Sequence, residues 1–314
     1  MTLNNMESEL QKLFTEYENE CRYSARLSSE TVRGYSAVFQ LFMKVMPEVI
    51  TLKDLTTAML SEYFKRIETR QRKVGKATIK TGVKKSTIKT HWSKLNVFFD
   101  WLDRKRLIDK NPLVDIPPPR VRYDDFRRLE VANIDKIRSA ITRCSINPLL
   151  NRRDNLMVSL LLSLGLRKGE FISLQVKDID LIKRLVTIRG ETSKSKRTKI
   201  LPISPTLLLH FKDYFLERNR LNLKTEFLLV SNRGDRGLSR DGLKHWVKSL
   251  IKKSGVKFHL HMFRHTFACL LTEKGTPSLL LKELMGHSSI AMTAKYTRSL
   301  KAENMYEEIC KISL

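Results

Sequence analysis

The sequence predicts a mainly α-helical protein carrying a small β-hairpin or sheet, divided into two domains. Apolar residues recur at alternating spacings of four and three along the first hundred positions, which is the signature of amphipathic helices. Asn111-Pro112 and the triplet Pro117-Pro118-Pro119 interrupt the chain, because consecutive prolines cannot continue a helix and favour a stiff, extended connection. Only two short stretches, around 184–189 and 199–203, read as strands. With 314 residues the chain is long enough for two domains and a sizeable core.

In chain order, Ser28-Ser29-Glu30 reads as a start signal for a helix carrying Val38, Leu41, Phe42 and Val45 on its apolar side. Another helix begins near Thr56-Thr57 and carries Met59, Tyr63, Phe64 and Ile67. A further one carries Ile88, Trp92, Leu95, Phe99 and Leu102, leaving Thr87, Lys89, His91 and Lys94 mostly on its other side. These belong to a four-helix domain over 1–107. A linker at 108–128 stays basic through Arg120 and Arg122. The second domain, 129–314, opens with helices over 133–144 and 154–164. The two strands follow, joined by the polar turn Gly190-Glu191-Thr192-Ser193, and helices run to the C-terminus. There Met305, Ile309 and Ile312 give the segment 301–314 the period of a tail helix.

Hydrophobic residues make up 41% of the chain, too many for general disorder. Lys and Arg number 59 against 33 Asp and Glu, a net charge of +26 that calls for a polyanionic partner. Charge by itself selects nucleic acid and not DNA in particular. Between Lys65 and Lys94 only Glu68 is acidic, so Lys85, Lys89, His91 and Lys94, together with Arg33, Arg120 and Arg122, are the candidates for nucleic-acid contact. The four cysteines are far apart and form no CxxC pair, which argues against zinc knuckles and disulfide frameworks and suits a reducing compartment. No signal peptide is evident, and the longest apolar run, 156–166, is too short to span a bilayer, so a cytoplasmic location is expected.

Several polar residues of the second half stand in contexts that suit phosphodiester chemistry. Arg167 follows an apolar helix and a glycine in Leu164-Gly165-Leu166-Arg167-Lys168-Gly169-Glu170, with Glu170 placed to orient it. By itself such an arginine is a helix-terminal cation. Lys194 lies in a turn before Ile200-Leu201-Pro202-Ile203, where a lysine can reach a groove and donate a proton; Lys196 and Lys199 compete with it, and spacing does not choose among them. His261 and Arg264 are three apart on one side of a helix, near its N-terminus, where backbone N–H groups also favour an anion. His265 beside them reads as a partly buried supporting histidine. His287 sits at a helix junction in Leu284-Met285-Gly286-His287. Tyr296 follows it by nine residues (296 − 287 = 9), and a tyrosine in an amphipathic helix is more often core than nucleophile.

Taken in order, Leu-Gly-Leu-Arg-Lys-Gly-Glu, a lysine-bearing turn, His-Met-Phe-Arg-His-Thr-Phe-Ala and Leu-Met-Gly-His-Ser-Ser-Ile … Tyr resemble the tyrosine recombinase (phage integrase) family, of the Xer or mobile-element kind. The resemblance covers the second domain, and the basic helical first domain is similar to the family's core-binding domain. Phe263, Met285 and Lys168 depart from the residues usual at those places, and none is a reacting group.

The resemblance implies a site-specific recombinase that cuts and rejoins DNA through a 3′-phosphotyrosyl bond, without metal, ATP or other cofactor. Tyr296 would be the nucleophile, Arg167 and Arg264 the phosphate clamp, Lys194 the donor to the 5′-oxygen, His261 the acid–base partner of the phenol and His287 a phosphate ligand. It implies double-stranded DNA with paired half-sites as partner and a homotetramer acting through a four-way junction, to which accessory DNA-bending proteins can belong. The alternatives are a type IB topoisomerase-like relaxing enzyme, which His261 argues against, and a non-catalytic DNA-binding protein of the same fold.

Overall fold

The structure, a computed structural model, describes residues 8–74, 78–121, 128–145, 147–193, 196–294 and 296. The tail 301–314, Arg122 and Lys194 lie outside the described residues. The chain divides into two compact units, Met1–Tyr123 and Asp124–Leu314.

The first unit holds helices α1 (Glu9–Asn19), α2 (Ser29–Val45), α3 (Thr57–Thr69) and α4 (Lys85–Arg104). Their starts are set locally. Ser8 and Gln11 exchange side-chain and backbone hydrogen bonds in a capping box, and the hydroxyls of Ser28 and Thr56 accept from the backbone N–H of Thr31 and Met59. The core is aromatic: Phe14 stacks on Phe39 at 3.8 Å between ring centroids and meets Phe98 edge-on at 5.1 Å.

The buried face of α4 is broader than the 4-3-4-3 spacing predicts, taking in His91, Phe98 and Trp101. Trp92 is only partly buried and its indole N–H donates to Ile116 O at 2.6 Å. His91 corrects the expectation that it faces outward. It is 7% exposed and its Nδ1 shares a 2.7 Å hydrogen bond with the Tyr63 hydroxyl. Burial, then the charges of Arg70 and Lys94, hold it below the usual histidine range. It belongs to the core of the first unit. An unexpected antiparallel pair, β1 (Gln71–Val74) with β2 (Thr78–Thr81), joins α3 to α4, with Arg72 opposite Lys80 and Lys73 opposite Ile79.

The second unit opens with α5 (Val131–Cys144) and α6 (Pro148–Leu164), then the short α7 (Lys168–Ile172). Strands β3 (Ile179–Asp180), β4 (Leu185–Ile188) and β5 (Lys199–Pro202) form an antiparallel sheet in that order, so the predicted pair gains a two-residue edge strand. Helices α8 (Pro205–Arg220), α9 (Arg240–Ser254), α10 (Leu260–Glu273), α11 (Ser278–Met285) and α12 (Ala291–Ala294) follow. α6 is buried almost all round from Leu156 to Leu161 and packs against α8 and α10, which makes it the axis of this core. Pro277 stands at the N-cap of α11. The fold is thus mainly helical with small antiparallel sheets. No helix among the described residues is long and apolar enough to cross a membrane.

Candidate active site

Several elements of the second unit converge. α6 stops at Gly165, whose backbone is left-handed (φ 54) and where a Cβ would run into the Phe267 ring, so only glycine fits without strain. The chain then turns through Leu166 to Arg167, the N-cap of α7. Glu170, one turn on, is 1% exposed and caps that helix through a 3.0 Å bond from the Arg167 backbone N–H. Its other oxygen accepts from Arg167 Nη1 and from Ser193 Oγ, each at 3.0 Å. Arg167 Nη2 donates onward to Gly286 O at 2.7 Å.

α10 supplies Arg264, only 2% exposed, with Nη1 on Gly165 O at 2.6 Å and Nη2 on Met285 O at 2.5 Å. The third cation is Lys199, at the start of β5. Its Nζ lies 3.5 Å from Glu170 Oε2 and 3.3 Å from Leu284 O. Arg167 and Lys199 therefore pair with a single carboxylate, and Arg264 is near enough to feel its charge. The electrostatics follow. Burial, then the Arg167 charge, draws Arg264 down to about 10. Burial draws Lys199 down to about 8, with Glu170 opposing and Arg264 and Arg167 assisting. Burial resists ionisation of Glu170, yet Lys199 and Arg167 outweigh it and hold the carboxyl below its ordinary range.

α11 ends at Gly286, again left-handed (φ 60), which turns the chain into His287. His287 is 7% exposed, and its Nδ1 shares a 2.8 Å hydrogen bond with Thr293 Oγ1 from α12. Tyr296 lies in a satellite apolar cluster with Phe267, Ala268, Cys269, Leu281 and Met285. Its ring runs parallel to that of His287 at 6.3 Å and tilts against His265 at 5.6 Å, and His265 meets His261 edge-on at 4.4 Å. Burial raises the Tyr296 hydroxyl to about 12, with the charges of Arg264 and Arg167 pulling the other way, so both guanidiniums are near enough to act on it.

Arg167, Glu170, Arg264, His265, His287 and Tyr296 are thus brought together by α6, α7, α10, α11 and α12, with exposed His261 at the rim. Three supporting side chains escaped the sequence reading. In the sequence Lys199 is a competitor to Lys194, Ser193 is part of a turn, and no local pattern marks Thr293. Spacing offered a signal for Ser193 alone, which abuts the lysine-bearing turn. The remaining candidates lie in the first unit. Arg33, Lys85 and Arg120 are exposed, Lys89 is half-buried, and Lys94 is half-buried with Nζ on Gly34 O at 2.9 Å. Among the described residues, no group of three His, Cys, Asp or Glu side chains is arranged to hold a metal ion.

Residues 127–303 match the profile of the Phage integrase family, more than half of the chain. The chain belongs to that family, and with it is a tyrosine recombinase. Among curated proteins it is 30% identical over 234 residues to tyrosine recombinase XerD of Oceanobacillus iheyensis, covering 72% of this chain and 76% of that one. It is 28% identical over 308 residues to tyrosine recombinase XerC of Bacillus pumilus, covering 92% and 91%. Among solved structures, the Tn1549 transposon integrase in complex with circular intermediate DNA superposes with a TM-score of 0.73 at 19% identity, over 96% of this chain and 99% of that one. The XerH site-specific recombinase bound to palindromic difH substrate, a post-cleavage complex, gives 0.68 at 20% identity, over 99% and 91%. At such identities these two likenesses speak for the fold.

Proposed function

We propose that this recombinase cuts and rejoins double-stranded DNA through a covalent bond to Tyr296, as a tetramer on paired half-sites. The observation that carries the reading is a carboxylate paired with Arg167 and Lys199, with the charge of Arg264 acting on both it and Tyr296. A cluster with that surplus of positive charge, partly withdrawn from water, is an anion receptor. A phosphate entering it would supply the missing negative charge.

In the proposed step the phenol oxygen of Tyr296 bonds to phosphorus as the bond from phosphorus to the 5′-oxygen breaks. His261 takes the phenolic proton, and Lys194 gives a proton to the departing 5′-oxygen. Arg167 and Arg264 hold the non-bridging oxygens, His287 contributes a further hydrogen bond, and Glu170 with His265 keeps these groups oriented. The 3′-phosphotyrosyl bond retains the energy of the broken linkage, so a 5′-hydroxyl from a second duplex can reverse the step without ATP. Exchange of strands two at a time then passes through a four-way junction. The first unit, with Arg33, Lys85, Lys89, Lys94, Arg120 and Arg122, would add sequence-independent grip, the chain over 108–128 serving as the linker to a catalytic domain at 129–314. The biological programme in this reading is integration and excision of an element, or resolution of chromosome dimers.

A nicked suicide duplex tests the reading. The natural chain should become covalently attached to DNA, and Tyr296→Phe should bind with unchanged affinity yet form no covalent product. Equal trapping by Tyr296→Phe would remove Tyr296 from its role.

A further inference from the structure

The last turn of a helix leaves main-chain carbonyls without partners inside the helix and carries the negative end of its dipole. At the end of α11 three successive carbonyls take side-chain donors, each from a different element. Leu284 O is met by Lys199 Nζ at 3.3 Å, Met285 O by Arg264 Nη2 at 2.5 Å and Gly286 O by Arg167 Nη2 at 2.7 Å. The next residue is His287. Two of the three donors are the arginines already assigned to the phosphate. The third has no role in that assignment.

Lys199 is an unfavourable place for a cation unless it does something there. Its side chain is 13% exposed and sits in the field of two guanidiniums. What compensates is a pair of acceptors from separate elements, the Glu170 carboxylate of α7 and the Leu284 carbonyl of α11. An ammonium spanning the two fixes the spacing between the element that orients Arg167 and the element that presents His287. We propose that Lys199 is a positioning residue for the cleavage reaction, tying the carbonyl end of α11 to Glu170 so that His287 stands correctly against the two arginines. The proposal rests on the recombinase reading above.

The groups facing Lys199 are Glu170 from α7, Arg167 from the turn before it, Arg264 from α10 and the Leu284 carbonyl from α11. Of these and the nearby phenol, Arg264 titrates at about 10 and Tyr296 at about 12, so Lys199, at about 8, is the group that changes charge first as pH rises from neutral. The tie is made below that value and lost above it.

The test uses the full chain with Lys199→Met and Lys199→Arg. It reads single-turnover cleavage of the nicked duplex, DNA affinity by band shift, and melting temperature to establish folding. A second duplex carries sulfur in place of the scissile 5′-oxygen, a leaving group that needs no proton. Lys199→Met should cleave about a hundredfold more slowly, the cost of a displacement of roughly 1 Å at a reacting group. It should bind within about threefold of the natural chain, a change in binding free energy well under that for a tenfold loss. It should stay slow on the sulfur duplex, whereas Lys194→Met should recover. Lys199→Arg should restore most of the rate. On the sulfur duplex it should also abolish the decline that the natural chain shows above about pH 8, because a guanidinium does not titrate there.

Natural rates for Lys199→Met, parallel loss of binding and cleavage, full rescue by sulfur, or a folded Lys199→Arg that stays slow or keeps the alkaline decline would each overturn the assignment. All of these leave the reading of Tyr296 intact. That reading fails separately, through covalent trapping by Tyr296→Phe.

Discussion

The two units bury different things. In the first, the described interior is aromatic and aliphatic, with His91 and Asn111 as its buried polar residues, and the cations stay at the surface or half-buried. In the second, Arg153, Arg218, Arg264, Glu170, Asp178 and Glu217 are all buried. Taking charge out of water costs several kcal/mol per ion unless it is paired and hydrogen-bonded, so buried charge needs a reason. For Arg218 the reason is local, since its guanidinium binds the carbonyls of Thr225, Phe227 and Leu228 and ties a loop to α8. Arg153 is neutralised by Asp154. Arg264 differs, because its nearest charged neighbours include another cation. Burial of charge is therefore weak as a marker of function, and burial of like charges together is a strong one.

That contrast can be broken most forcefully in the aromatic core. Phe98→Ala removes a ring packed on Phe14, Phe39, Phe99 and Trp101, and should lower unfolding free energy by about 3–5 kcal/mol. Its cleavage rate at saturating DNA should be unchanged wherever the protein remains folded. A loss of rate without a loss of stability would mean that the first unit takes part in the chemistry.

Arg264→Ala should do the reverse, reducing single-turnover cleavage by about a hundredfold to a thousandfold, the usual consequence of deleting one donor to a developing charge. Urea melts should also register about 1–3 kcal/mol for each carbonyl left without a donor, here Gly165 O and Met285 O. Relief of repulsion with Arg167 offsets part of that cost.

A smaller effect separates Glu170 from both. Because its folded carboxyl is held below the ordinary value of 4.5, it contributes stability that is present above that pH and is lost as pH falls through the folded value. Glu170→Gln should destabilise at neutral pH by about 1–3 kcal/mol, and the difference from the natural chain should shrink in acid. A difference independent of pH would assign the effect to shape and not to charge.

Smallest of all are the surface cations of the first unit. Lys85→Gln with Lys89→Gln should change stability by no more than about 0.5 kcal/mol. In titrations of DNA affinity against salt, the slope should fall by about 0.9 for each phosphate that the protein no longer neutralises. An unchanged slope would place both lysines away from DNA.

How far the sequence disclosed this follows from the range of each interaction. Arg167 with Glu170, and His261 with Arg264, are three apart on a helix or its cap, so spacing pairs them, while the role of Arg167 comes from the resemblance of the ordered motifs. The strands at 184–189 and 199–203 were visible because their apolar residues, Val186, Ile188 and Leu201, alternate with less buried ones. β1 and β2 were not, since Gln71-Arg72-Lys73 and Thr78-Ile79-Lys80-Thr81 put no continuous apolar face on either side. His91 was misassigned because four-three spacing describes a narrow stripe, while α4 is covered by neighbours over a wider arc. Lys199 was passed over because its acceptor, Leu284 O, is 85 residues away in sequence, a distance at which no local pattern survives.

Gly165 carries a consequence for anyone altering this chain. Its carbonyl steadies the guanidinium of Arg264, and its missing side chain leaves room for the ring of Phe267. A single added methyl there would strike that ring, and the disturbance would pass straight to the guanidinium of Arg264. What can be changed around Arg264 is thus limited by a turn 99 residues away in sequence.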